Sequence, residues 1–168
     1  MKTLCLLRHA KSSWDNVLLS DHQRPLATRG ISDCQLMAPI IFNENIHYDQ
    51  IYVSDAKRAD ETISRINKAT KKNAHWHYRQ QVYTFKACSL LDFCQQLGTQ
   101  ENTVLIVGHN PAITELVNIL TASKIANIPT CSWAKVTGNI ENWEELKENT
   151  MSLEALITPK HLKRDITA

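Results

Sequence analysis

The sequence is sparing with the residues that break regular structure: four glycines and five prolines in 168 residues. That excludes collagen-like and Pro/Gly-rich disordered classes, and 43% hydrophobic with 21% charged residues fits an ordinary globular chain. Long apolar runs are also missing, since none approaches the ~18 residues of a membrane-spanning helix. The opening apolar stretch behind Lys2 stops at Leu7, short of the ~7–15-residue core of a secretion signal. The expectation is a soluble, cytoplasmic protein with no membrane partner. Charge of one sign is scarce too: Lys and Arg number 19 against 17 Asp and Glu, with no basic run, so nucleic acid is not an expected partner. The five cysteines, Cys5, Cys34, Cys88, Cys94 and Cys131, are an odd number and form no C-x-x-C pair, which reads as reduced thiols serving as small hydrophobes. His75-Trp76-His77 puts two imidazoles on one face if extended, but a metal site wants three or four ligands. No metal and no other cofactor is expected.

What is present is an alternation of two patterns. Leu4 to Leu7, Ile51-Tyr52-Val53 and Val104 to Val107 are short, continuous and branched, the signature of strands covered on both faces. Between them lie helical periodicities. Ser89 is placed as the cap of a helix carrying Leu90, Phe93, Cys94 and Leu97, with Gly98 as its stop. Asn110-Pro111 is placed as the start of a helix striped by Ile113, Leu116, Val117 and Leu120. Thr28 to Phe42 is a helix that Pro39 should kink or shorten, and another helix follows Ser54 through Ala59, Ile63 and Ile66. In the last third, Cys131 to Val136 and Ser152 to Ile157 are expected strands, with a turn at Thr137-Gly138-Asn139; the stretch Trp143 to Leu146 fits no pattern clearly. The whole is expected to be one domain, residues 1–168, an α/β three-layer sandwich around a mainly parallel sheet.

Each of the three firmest strands runs directly into a chemically loaded loop. Leu7 is followed by Arg8-His9-Ala10-Lys11-Ser12, Val53 by Ser54-Asp55-Ala56-Lys57-Arg58, and Val107 by Gly108-His109-Asn110-Pro111. Ligands of open α/β sheets bind beyond the carboxyl ends of the strands, so Arg8, His9, Arg58 and His109 are expected to face one crevice. Only Asp55 in these loops is acidic, and clustered guanidiniums without carboxylates require an anion. Phosphate suits paired arginines best, through bidentate charge-assisted bonds, aided by the positive ends of the following helices. A neutral imidazole in such a site can attack phosphorus and form a phosphohistidine that water then hydrolyses. The cations would hold it unprotonated and stabilise the transferred charge without a metal.

The stretch Arg8-His9-Ala10-Lys11-Ser12-Ser13-Trp14 resembles the Arg-His-Gly signature of the histidine phosphatase superfamily, phosphoglycerate-mutase-like branch. Together with Asp21-His22-Gln23-Arg24-Pro25-Leu26 and Val107 to Pro111, it looks like the SixA-type phosphohistidine phosphatases in particular. The resemblance covers the chain to about Leu120 and implies a phosphoglycerate-mutase-like fold. It implies His9 as nucleophile, Arg8 and Arg58 gripping the phosphoryl oxygens, His109 donating to the same group, and Arg24 bordering the pocket. Ser12, and Asp15 or Asn16, would offer polar groups to phosphate or to the loop itself. The implied activity is hydrolysis of phosphohistidine in proteins through a phosphorylated His9. A small-molecule phosphomonoesterase of the same superfamily and a non-catalytic phosphate-binding module are the alternatives, so the partner is a phosphorylated protein or a small phosphorylated substrate. Two departures bear on this. Asp55 stands where relatives carry proline, near enough in sequence to pair with Arg58. Thr84 stands where many members carry a glutamate that protonates the leaving oxygen, which favours phosphoramidates, whose ring nitrogen is protonated beforehand, over alkyl esters.

Overall fold

Alternation along the first strand sets the layering. In β1 (Lys2–Arg8), Cys5 and Leu7 belong to one face and Leu4 and Leu6 to the other, all fully buried. A sheet that is apolar on both sides needs cover on both. In this computed structural model, which describes residues 1–167, helices supply it. On one face α1 (Thr28–Ile41) and α2 (Lys57–Thr70) bring Cys34, Met37, Ile63 and Ile66 against Cys5, Leu7, Val53 and Val107. On the other, α3 (Ala87–Gln95) and α4 (Ala112–Thr121) bring Leu90, Cys94, Leu116 and Leu120 against Leu4, Leu6, Val104 and Ile106.

The remaining strands are β2 (Gln50–Val53), β3 (His77–Tyr78), β4 (Thr103–Gly108), β5 (Trp133–Gly138) and β6 (Ser152–Ile157). The sheet order is β3-β2-β4-β1-β5-β6. β3, β2, β4 and β1 are parallel, and β5 and β6 add an antiparallel flank. This is the expected α/β sandwich on a mainly parallel sheet. The register matters for the site: Arg8 lies beside Gly108 and Val53 beside Val107, so three adjacent strands end at one level.

Several local expectations are corrected. α3 starts at Ala87 after Lys86, not at Ser89, and ends at Gln95 before Gly98 is reached; Thr84 Oγ1 accepts from the Lys86 amide (3.2 Å) and shapes the approach to it. Pro39 lies inside α1 without ending it, because it falls in the last turn, where its missing N–H forfeits only one helical bond. The Thr137-Gly138 pair continues β5 and is not a turn. The Trp143 stretch is a single 3₁₀ turn (Trp143–Glu145), whose indole is buried and donates to the Glu101 carbonyl (2.6 Å). β3 and a last helix, α5 (Pro159–Thr167), are elements beyond those expected. His75 and His77 are both exposed, and among the described residues no group of three metal-binding side chains forms.

Candidate active site

The loop after β1 is held against the sheet and helices by backbone contacts that fix its direction. The His9 amide donates to the Gly108 carbonyl (3.0 Å), and the Ala10 amide donates to Thr62 Oγ1 (2.9 Å) on α2. Further along, the Ala27 amide donates to the Lys11 carbonyl (2.8 Å), and Ser12 forms an antiparallel bridge with Leu26. Gly30 permits this closeness, since a Cβ there would overlap the Lys11 carbonyl oxygen. The loop from His9 to Ala27 therefore folds back over the strand ends and is not a free flap.

At those ends the two imidazoles meet: the His9 and His109 rings are 5.1 Å apart, centroid to centroid. Arg58, in the first turn of α2 and 1% exposed, lies between them. Its Nε donates to His9 Nε2 (3.2 Å) and its Nη2 to His109 Nδ1 (3.2 Å). The protonation pattern follows from the partners. His9 Nδ1 sits 2.7 Å from the Ala10 carbonyl, which only accepts, so Nδ1 carries the hydrogen and Nε2 the lone pair. His109 accepts at Nδ1, so its Nε2–H donates to Ser54 Oγ (2.7 Å). Burial is the main reason both rings resist protonation, reinforced by neighbouring cations: His9 is pulled down to about 3, with Arg58, Arg8 and Arg24 adding to burial against the opposing Ala10 bond. His109 is pulled down to about 2 by burial, then by His9 and Arg58.

The crevice also contains a carboxylate that the loop-by-loop reading did not assign. Asp21 Oδ2 accepts from Arg58 Nη2 (2.8 Å) and from the Tyr83 hydroxyl (2.8 Å), while its carbonyl accepts from Arg58 Nη1. Its Oδ1 accepts from Arg24 Nη2 (2.9 Å) and Nε (3.2 Å). Burial would raise this carboxyl, but the bonds from Tyr83, Arg58 and Arg24 outweigh it and hold it down at about 2. The signal was present as Asp21 and Arg24 three residues apart on one turn, but nothing local connects them to Arg58. Asp55, in turn, does not pair with Arg58: its Oδ1 lies 3.1 Å from His22 Nε2.

The other expected residues are placed as follows. Arg24 is 7% exposed, its guanidinium 3.6 Å from the centroid of the Trp14 ring. Arg8 is partly buried, with Nη1 donating to the Ile128 carbonyl (2.7 Å) and Asn127 Oδ1 (3.2 Å); burial lowers its guanidinium from the ordinary arginine value. Ser12 is buried and enters the assembly through its bridge to Leu26. Asp15 and Asn16 serve the loop, accepting from Ser13 Oγ (2.7 Å) and from the Leu18 amide (3.0 Å) respectively. Two guanidinium N–H groups, Arg8 Nε and Arg24 Nη1, are buried with no hydrogen-bond partner. Such donors cost about 1–3 kcal/mol each unless something accepts from them, and both guanidiniums act electrostatically on His9.

Comparison with known proteins finds relatives in sequence and in fold. The chain is 29% identical over 171 residues to an uncharacterized chloroplastic protein of Arabidopsis thaliana, covering 94% of this chain and 78% of that one. It is 25% identical over 114 residues to the phosphohistidine phosphatase SixA of Escherichia coli, covering 67% and 70%. The solved structure of the protein histidine phosphatase SixA complexed with tungstate superposes with a TM-score of 0.78 at 21% identity, over 95% of this chain and 99% of that one. Residues 4–81 match the family model of the histidine phosphatase superfamily, branch 1, and it is to this superfamily that the chain belongs.

Proposed function

We propose that this phosphatase hydrolyses phosphohistidine in proteins through a covalent phosphohistidine on its own His9. The observation that carries the reading is the single lone pair at His9 Nε2, neutral above about pH 3 and facing Arg58. In the resting protein Arg58 Nε–H occupies that lone pair; a phosphoryl oxygen accepting from Arg58 releases it for attack. Two unpartnered guanidinium donors, Arg8 Nε and Arg24 Nη1, also seek acceptors, and an oxyanion answers them. Tungstate, an oxyanion of similar shape, is present in the SixA structure of the same fold.

His9 Nε2 attacks phosphorus as the bond to the leaving nitrogen breaks, and the bond's electron pair stays with the departing ring. Because that ring can be protonated on its other nitrogen first, it leaves as a neutral imidazole without an enzyme acid. Arg58, Arg8 and Arg24 meet the charge on the equatorial oxygens. Water then attacks the phosphorus, the bond to His9 breaks, and phosphate leaves. In the test, a phosphohistidine-bearing phosphotransfer protein is incubated with wild type and with His9→Ala, and phosphate release is followed. Wild type is expected to turn over and His9→Ala to lose activity by about 10⁴-fold or more, as when other nucleophiles are removed. Undiminished turnover in the variant would end this reading.

A further inference from the structure

Two large aromatic rings contribute to neither core. Trp14 and Phe85 are 67% and 43% exposed, and neither belongs to the apolar clusters on the two faces of the sheet. An aromatic ring left in water forgoes the gain of burial, and two such rings at one crevice call for a reason. Both touch its residues. Trp14 is covered by the Arg24 guanidinium, 3.6 Å from the ring centroid. Phe85 packs against His109 (5.5 Å between centroids, 50° between planes) and is braced edge-on by Tyr83 (5.5 Å, 73°), whose hydroxyl is tied to Asp21 (2.8 Å). The rings of His9, His109 and Phe85 thus follow one another at 5.1 and 5.5 Å. Phe85 is therefore no more than two ring spacings from His9, within reach of a ring carried on phosphorus beyond His9 Nε2.

We infer that Phe85 determines specificity for the leaving group, its ring receiving the imidazole of the substrate by stacking and cation–π attraction. This rests on phosphoryl transfer from phosphohistidine to His9, as proposed above. The leaving ring is planar and, once protonated on its outer nitrogen, cationic. Arg58, Arg8 and Arg24 suit the phosphoryl oxygens but repel a cation, so they cannot hold this ring. Asp21, the carboxylate of the crevice, is already shared among Arg58, Arg24 and Tyr83. An aromatic face attracts a flat cation without competing for the phosphoryl group. Trp14 already carries Arg24, whereas among the described residues no cation lies over Phe85. As the P–N bond breaks, its electron pair stays on the departing nitrogen and the ring becomes neutral. The cation–π attraction disappears with the charge, so the ring is held while phosphorylated and released after transfer.

The experiment compares wild type, Phe85→Leu and Phe85→Tyr on N-phosphoimidazole, which presents the ring, and on phosphoramidate, which has a P–N bond and no ring. Phe85→Leu is expected to lower kcat/KM on N-phosphoimidazole by about 10-fold, chiefly through KM, and to leave phosphoramidate within about twofold. Phe85→Tyr, which keeps the ring, is expected to stay near wild type on both. Equal losses on the two substrates would mean that Phe85 only covers His109 and would overturn the inference. So would an unchanged value on N-phosphoimidazole, or a Tyr variant as impaired as the Leu variant. If wild type is inert toward both substrates, or His9→Ala is unimpaired, the reading of the site as a phosphohistidine phosphatase falls, and this inference with it.

Discussion

Two buried neutral histidines predict a specific loss of stability in mild acid. His9 and His109 are 8% and 1% exposed, and their folded-state values lie at about 3 and about 2, against 6.5 in the unfolded chain. Depressed values mean that the unfolded chain binds the protons first. The stabilising effect of keeping the rings neutral is therefore fully present above pH 6.5 and is lost as pH falls from there toward the folded values. At pH 5 the unfolded state is about 1.5 units below its own midpoint for each ring, which at 1.36 kcal/mol per unit is about 2 kcal/mol per histidine, or about 4 kcal/mol together. Against a typical total of about 5–15 kcal/mol, that is a large share. Asp21 adds its own loss only below about pH 4, where the carboxyl of the unfolded chain takes up its proton while the folded one, held at about 2, stays charged, so the window from pH 7 to 5 isolates the rings. Urea unfolding in phosphate-free buffer, followed by tryptophan fluorescence, measures this. Wild type is expected to lose about 4 kcal/mol between pH 7 and 5, and His109→Asn about half of that. A wild-type stability that is flat across this window would refute the claim that both rings are neutral and desolvated.

Other substitutions test other parts of the assembly. Arg58→Lys keeps the charge but loses the fork that reaches both His9 and His109; kcat/KM is expected to fall by about 10²–10³, and steady-state kinetics checks it. Asp21→Asn removes the anion that occupies Arg58 and Arg24, so inorganic phosphate is expected to bind more tightly by calorimetry; weaker binding would show Asp21 to be required for the arginine geometry. Gly30→Ala would gain about 1 kcal/mol of helix propensity, but the overlap with the Lys11 carbonyl is backbone and cannot turn aside. A net destabilisation of about 1–3 kcal/mol is expected in thermal melts.

The parallel core of the fold and the placement of Arg8, His9, Arg58 and His109 were legible because both depend on short-range pattern. Branched apolar runs define strands, and strands that end at one level bring their following residues together. The elements that escaped notice are those stabilised by partners far along the chain. β3 is two residues held by β2, whereas the start of α3 is set by a local contact, the Lys86 amide donating to Thr84 Oγ1 just ahead of the helix. The acidic part of the site was missed for the same reason. Asp21 reaches Arg58 across 37 residues, and Asp55 turns to His22, neither of which sequence spacing reveals.

The central claim, that phosphorus passes to His9 Nε2, is tested most directly by trapping the enzyme during turnover. Wild type is mixed with an excess of phosphoramidate, quenched in alkali, digested and mapped by mass spectrometry. A single added phosphoryl group on the peptide containing His9, lost on dilution of the substrate and missing from His9→Ala, is the expected result. Turnover with no phosphorylated His9 at any time, or with the label on His109, would contradict the account.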